Sequence, residues 1–448
     1  MFKTIANAWK VPDLRKKMLF TIFIVVIFRI GSVIPVPFLD VHALKVLTDS
    51  WNDSNNMLSY IDMFSGGAFS NATLFAMSVT PYINSSIIMQ LLTVAIPALE
   101  QLAKEGTEGR KKIATITRYV TVGLGIIQGT AYYIYLLRSQ VKDPTTGEIM
   151  NIAEFSGWNF SGVFSAITIV LVFTAGTALM MWLGEQINQN GLGNGISILL
   201  FVGIIARLPV TLGQLWNTFK LGLKGQTEFI IYPIIYLILS LVIIWVIVFM
   251  NDAERRIPVQ YAKRMVGRKM YGGQSTHLPI KVGLSGVMPI IFASSILSIP
   301  QTILLFLDQN SLSDFWKGFF NAFSPRSWVY IALYFVLIIG FAYFYVTIQY
   351  NPVEMSNNLR QSNGTIPGIR PGKPTTDFIA KIISKITLIG ALFLAFIAII
   401  PLIFANVTGM TGLMMGGTSV IILVGVALET MRQLESQLMM RHYKGFLD

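Results

Sequence analysis

The sequence predicts an all-α integral membrane protein with ten transmembrane helices in two inverted five-helix halves. Three observations carry this. Of the 448 residues, 53% are hydrophobic and only 12% charged, whereas soluble domains carry roughly 25% charged residues. Apolar runs of about 20 residues, the length that crosses a bilayer, recur along the whole chain. A motif in the second run returns in the seventh, the same place in each half. Continuous rather than alternating apolar runs favour helices over a barrel.

Residues 1–17 hold Lys3, Lys10, Arg15, Lys16 and Lys17, with Phe2, Ile5 and Trp9 able to share a helix face. They read either as an interfacial amphipathic helix or as a basic flank that only orients the first span. The spans fall at 18–36, 73–96, 114–137, 158–183, 196–216, 230–250, 282–307, 327–349, 384–405 and 412–432. The first ends in Ile34-Pro35-Val36-Pro37-Phe38 without a small-residue cleavage site, so it reads as retained. The N-terminal half is then 18–216, the C-terminal half 217–432 and the tail 433–448.

Charge tests the topology. With the N-terminus inside, the cytoplasmic segments hold 24 of the 34 Lys and Arg and the external segments 8. That bias obeys the positive-inside rule and puts both termini in the cytoplasm. Thr80-Pro81-Tyr82-Ile83-Asn84-Ser85-Ser86-Ile87-Ile88 in the second span is echoed by Met288-Pro289-Ile290-Ile291-Phe292-Ala293-Ser294-Ser295-Ile296 in the seventh. Five spans per half is an odd number, so the repeat is inverted and a site is expected between the halves near the midplane.

The stretch 62–92 is the most irregular. Asp62-Met63-Phe64-Ser65-Gly66-Gly67-Ala68-Phe69 is too short and too rich in glycine to span, and it leads into a helix bearing Pro81, Asn84, Ser85, Ser86 and Gln90. Irregular backbone at membrane depth survives only against protein or a water-filled cavity. The stretch therefore reads as one that lines and plugs a pore. Ser85, Ser86, Gln90, Ser294 and Ser295 either line a polar seam, with the Asn84–Gln90 face opposite Ser294 and Ser295, or hold helices together.

Other chemistries find little support. Without cysteine there is no thiolate site, and His42, His277 and His442 are too scattered to suggest a metal. Gly368-Ile369-Arg370-Pro371-Gly372-Lys373 misses the phosphate-loop spacing, because Pro367 stands at the first glycine and Pro374 follows the lysine. No catalytic residue, cofactor or metal is expected. The spans contain Arg29 and Arg118, with Glu429 near an end, and almost no acid at depth. That argues against the alternative of an ion-coupled small-solute transporter, which needs buried relays. A membrane scaffold would not need the half-length segment. Loop 251–281 holds Arg255, Arg256, Lys263, Arg264, Arg268 and Lys269 beside Tyr261 and Tyr271, and loop 350–385 holds Arg370. Such basic surfaces suit RNA or an acidic protein, or serve topology alone. Loop 184–195, with four glycines and no basic residue, reads as a tight hinge.

The strings Met63-Phe64-Ser65-Gly66-Gly67-Ala68, Pro81-Tyr82-Ile83, Trp182-Leu183-Gly184-Glu185-Gln186-Ile187, Gly191-Leu192-Gly193-Asn194-Gly195-Ile196-Ser197, Gln274-Ser275-Thr276-His277-Leu278-Pro279, Ile366-Pro367-Gly368-Ile369-Arg370-Pro371-Gly372 and Gly416-Gly417-Thr418-Ser419 occur in this order. Together they resemble the SecY family, the central subunit of the bacterial protein-conducting channel, over essentially the whole chain. The resemblance implies an hourglass pore in the plasma membrane with a plug at 57–71. It implies a collar of Val79, Ile83, Leu200, Ile291 and Ile422, where Val79 and Leu200 replace the more usual isoleucine. It implies a lateral gate between the second and seventh spans, through which membrane segments leave. It implies SecE and SecG as partner subunits, with the SecA motor or the ribosome engaging the two basic loops, Arg370 included. Signal peptides, nascent chains and anionic lipids complete the expected partners.

Overall fold

A computed structural model describes residues 2–54, 62, 65–142, 149–153, 155, 159–223, 228–261, 264–266, 269–271, 275–307, 313–408 and 417–444. Met63, Phe64, Lys263, Arg268 and Gly416 lie outside the described residues. In the N-terminal half the helices are α1 (Phe2–Lys10), α2 (Pro12–Gly31), α3 (Val41–Ser54), α4 (Thr80–Ala95), α5 (Pro97–Lys104), α6 (Thr107–Arg138), α7 (Phe160–Asn190) and α8 (Gly195–Leu223). In the C-terminal half they are α9 (Glu228–Asp252), α10 (Met288–Phe306), α11 (Asp314–Ala322), α12 (Trp328–Gln349), α13 (Pro352–Gln361), α14 (Lys373–Thr408) and α15 (Gly417–Lys444).

The protein is a mostly helical membrane protein. Among the described residues six helices are long and apolar enough to cross a bilayer, or seven if α4 and α5, bent by 101°, form one broken span. The bend follows from Pro97, which forces Ile96 into the extended region. The helices at the first, seventh and tenth predicted spans, α2, α10 and α15, are not among these seven. Arg15, Lys16 and Lys17 occupy the start of α2, and α10 is shortened because residues 284–287 are turns.

The expectation of an all-α chain is corrected in the loops. Two strands of the first basic loop pair antiparallel, β1 (Glu254–Tyr261) against β2 (Ser275–Lys281), with β3 (Gly364–Thr365) added to the other edge of β1. Two short pairs, Gln140–Lys142 with Ile149–Asn151 and Arg264–Val266 with Lys269–Tyr271, complete the strands described. The two basic loops, predicted as separate features, are thus one folded unit. Ile257, Val259 and Ile280 of the strand pair pack with Leu359, Ile366 and Ile379 in a single apolar cluster.

Two other predicted boundaries move. Residues 66–79 are a run of turns, so the second span begins at Thr80 rather than at 73. Gly66 and Gly67 have φ of 67° and 92°, and Ala72 and Ser78 are also left-handed at 41° and 49°, which a helix cannot accommodate. The hinge shrinks from 184–195 to 191–194, because α7 continues to Asn190. Gly195 is required there: a Cβ would lie 2.0 Å from the Gly184 carbonyl oxygen, so only glycine allows the two helix ends to meet. Asn188 Oδ1 accepts the Gly195 N–H and closes the corner.

Three apolar clusters organise the membrane part. One gathers Leu44, Phe69, Tyr132, Leu136 and Phe173 of the first half. Another gathers Ile243, Ile290, Leu297, Tyr334, Ala395 and Leu428 of the second. The third joins the halves, with Phe28, Phe75, Val79, Met180 and Leu200 against Ile422 and Val426.

Candidate functional site

The motif shared by the halves has the same local cause in both. Val79 precedes α4 and Val287 precedes α10, and in each helix a proline, Pro81 or Pro289, occupies the first turn. Proline is tolerated there because its missing N–H has no helical partner anyway. Each helix therefore starts abruptly after a run of turns.

Two cavities meet at these starts. The first, of about 100 Å³, is lined by Phe69, Met77, Thr80, Gln128, Tyr132, Ser294, Ser295, Ser298, Thr302, Leu305, Tyr330 and Ile422, with Ile83, Leu200 and Ile291 at one end. The second, of about 150 Å³, is lined by Tyr82, Ser86, Asn188, Asn194, Ile196, Ser197, Met288 and Phe292, and by the same Ile83, Leu200 and Ile291. Three aliphatic side chains from α4, α8 and α10 are thus the wall common to both. Ile422 of α15 borders only the first cavity, and Val79, 1% exposed, lines neither. All five share one apolar cluster.

The first cavity ends on the turn run. Phe69 lines it and stacks on Tyr132 with ring centroids 4.2 Å apart. The Tyr132 hydroxyl donates to the Phe69 carbonyl at 2.6 Å. Ala68 is fully buried. Val36 N–H donates to the Ala72 carbonyl and Leu74 N–H to the Ile34 carbonyl, so the chain after α2 clamps the end of the run. Gly176 of α7 presses on it too, leaving no room for a Cβ beside the Leu74 carbonyl. Ser65 folds the turn locally, its hydroxyl accepting the Phe69 N–H at 2.9 Å.

The cavities also show the sense of each helix. α4 runs from Thr80 in the first cavity to Ser86 in the second, and α10 from Met288 in the second to Ser294 and Ser295 in the first. The two helices are antiparallel about Ile83 and Ile291. Ser86 therefore does not face Ser294 and Ser295: equal steps from the two prolines lead in opposite directions, to opposite sides of the constriction. Ser85 lies off the seam altogether. It is fully buried and donates to the Thr117 carbonyl of α6 at 2.7 Å, which makes it a helix-packing group. Gln90 donates to the Ser86 hydroxyl at 3.3 Å. The Ser294 hydroxyl donates back to the Ile291 carbonyl of its own helix.

Sequence reasoning passed over several groups here. Gln128 and Tyr330 line the first cavity. Gln128 carried a signal, as an amide inside the apolar run of the third span; Tyr330 carried none. Asp62, 1% exposed, pairs with Arg207 of α8. On the folded loop unit Arg255 and Arg256 are exposed, and Arg256 pairs with Glu254 at 2.6 Å. Arg264 and Lys269 fall on the short paired strands. Arg370 is exposed between Pro367-Gly368 and Pro371-Gly372, whose glycines have φ of 80° and 102°. Each Pro-Gly step is a sharp turn of the kind that needs glycine second, and the pair displays Arg370 at a fixed corner.

A mostly helical membrane protein with two interior cavities that share an aliphatic wall belongs to the channel or transporter class. Comparison with known proteins specifies which. The SecY family model matches residues 73–431. The chain is 43% identical over 452 residues to the protein translocase subunit SecY of Streptomyces scabiei, and 42% identical over 452 residues to that of Bacillus subtilis, each covering 100% of both chains. Among solved structures, one described as a protein-conducting channel aligns over 94% of this chain and 92% of its own, with a TM-score of 0.62 at 18% identity. Sec61 from the canine ribosome-channel complex aligns over the same shares with a TM-score of 0.61. At that identity these two show a shared fold. The chain belongs to the SecY family, and it is a multi-pass, non-enzymatic subunit that conducts proteins through a membrane.

Proposed function

We propose that Ile83, Leu200 and Ile291, backed by Ile422 and Val79, form a collar through which unfolded secretory polypeptide passes. The observation that carries this is the sharing of those three side chains by both cavities. A pore for arbitrary sequences cannot use a selectivity filter. Aliphatic side chains adapt to many passing groups and, with nothing between them, resist wetting and so resist ions. The turn residues 65–71, held by the stacking of Phe69 on Tyr132, belong to the resting plug, which runs from 57 to 71.

On this reading the chain crosses the plasma membrane of a bacterium ten times, with both termini in the cytoplasm. α2, α10 and α15 supply the spans beyond the seven long apolar ones, helped by protein packed around them. The side exit opens between α4 and α10, with α6 and α12 beside it. A signal peptide or membrane segment intercalates there and passes into lipid. The cavity walls are hydroxyls, amides and apolar groups, which suits a passive pore better than ion coupling through buried acids. SecE and SecG are the expected partner subunits, and the basic strand pair faces anionic lipids as well as the SecA motor or the ribosome. The relative resolved in a ribosome-channel complex supports that docking.

Arg370→Glu is expected to cut motor-driven export severalfold while leaving the assembled channel intact, because it reverses a charge held at a rigid exposed corner. Export into inverted membrane vesicles, with co-purification of SecE as the assembly check, measures it. Unchanged export would remove Arg370 from the docking surface.

A further inference from the structure

The plug turn carries an ionic feature that an aliphatic seal does not require. Asp62 is 1% exposed and forms an ion pair with Arg207 of α8. The same carboxylate organises the turn: its Oδ1 accepts the Ser70 N–H at 2.7 Å, with the Ser65 hydroxyl at 3.4 Å. The Asp62 carbonyl accepts the Ser65 hydroxyl at 2.9 Å and the Gly67 N–H at 3.1 Å. One acid thus folds the turn and ties it to a pore-lining helix. A second arginine stands close by. Arg29 Nη1 of α2 is sheltered from solvent without a hydrogen-bond partner among the described residues, and so is Arg207 Nε. Arg29 lies against Gly66, where a Cβ would come within 3.3 Å of Nη1 and 2.9 Å of the Gly203 carbonyl oxygen. Gly66 therefore brings the turn close to both helices.

We propose that Asp62 and Arg207 form an ionic lock that positions the plug, the carboxylate supplied by the plug itself, with the Arg29 guanidinium of α2 standing beside the turn as a second positive charge. Removing one member of a buried pair is costly because it strands the other charge in a poorly hydrated place. Plug withdrawal separates both members, Asp62 and Arg207. The lock therefore opposes opening in the resting state, and the turn loses its internal hydrogen bonds in the same step that frees it from α8. Movement of the plug and loss of its fold are one event. The aliphatic collar limits what leaks once the plug has moved; the lock sets how often it moves.

The proposal rests on the pore reading above, and its test separates the two. Full-length channel assembled with its partner subunits is placed in vesicles, and release of a trapped anionic dye is followed without any translocating chain. Asp62→Asn and Arg207→Gln are each expected to raise resting release severalfold. Arg29→Gln is expected to raise it less, since Arg29 makes no direct pair. Asp62→Glu, which keeps the charge but moves it, should fall between. The exchange Asp62→Arg with Arg207→Asp is expected to leak less than either single reversal, a recovery that a merely structural role would not produce. Should Asp62→Asn fail to accumulate, Arg207→Lys and Arg207→Gln supply the same graded comparison from the other partner. Ile83→Gly with Ile291→Gly is the reference. If the reference leaks while Asp62→Asn and Arg207→Gln stay as tight as the parent, or if the exchange leaks as much as the worse single reversal, the lock is wrong and the pore reading stands. If the reference is also tight, the pore reading fails with it.

Discussion

Replacing Ile83 and Ile291 together with glycine is expected to make the resting membrane leak ions by roughly tenfold or more, since about 1.4 kcal/mol off a barrier is already tenfold in rate. The two side chains, carried on antiparallel helices, each line both cavities. Each substitution removes four carbons and leaves bare helix backbone. The collar becomes wider and more polar at once, and both changes favour water over vapour in a narrow apolar throat. Glycine also costs about 1 kcal/mol of helix stability relative to alanine. An Ile83→Ala, Ile291→Ala channel, expected to leak at an intermediate rate, separates lost bulk from a loosened backbone. Planar-bilayer conductance reads the result. Conductance unchanged by both pairs would take Ile83 and Ile291 out of the collar.

Bridging α4 to α10 is expected to abolish translocation, provided the bridge joins residues at one depth. Stepping three residues from Ile83 and Ile291 in opposite senses pairs Ser86 with Met288 in the second cavity and Thr80 with Ser294 in the first. The chain contains no cysteine, so paired substitutions need no background changes. Ser86→Cys with Met288→Cys, or Thr80→Cys with Ser294→Cys, should be joined by a short bis-methanethiosulfonate, each thiolate displacing a sulfinate, and the joined channel should neither export nor release membrane segments. Ser86→Cys with Ser294→Cys should resist joining: the register is off by six residues, about 9 Å along a helix. Efficient joining of that pair, with failure of the other two, would overturn the antiparallel arrangement.

The sequence made most of the helices legible because an apolar run of membrane length has few alternatives, and proline at the head of α4 and α10 marked where they begin. The strand pair was also written there and overlooked. Ile257 and Val259 alternate with exposed Glu254, Arg256, Pro258 and Gln260, a period of two hidden under a basic count. Ser86 and Ser294 stand equally far from their prolines, but in an inverted repeat equal steps lead to opposite cavities, so likeness in sequence is not nearness in space. The pairing of Asp62 with Arg207 had no local signature at all. Arg207 counted as a topogenic charge, and only the folding of the turn run onto α8 brings the two together. The turns at 66–79 were half legible: the glycines announced irregular backbone, but the left-handed Ala72 and Ser78 answer to packing against α7 and the chain after α2.

The central claim is that polypeptide threads the waist formed by Ile83, Leu200 and Ile291. A photo-reactive amino acid at each of these positions, and at Leu241 on the outer face of α9 (67% exposed) as a control, tests it with one secretory chain stalled midway through the channel. The account predicts crosslinks from positions 83, 200 and 291 to the stalled chain and none from 241. Crosslinks absent from all three waist positions while the chain remains stalled across the membrane would contradict it.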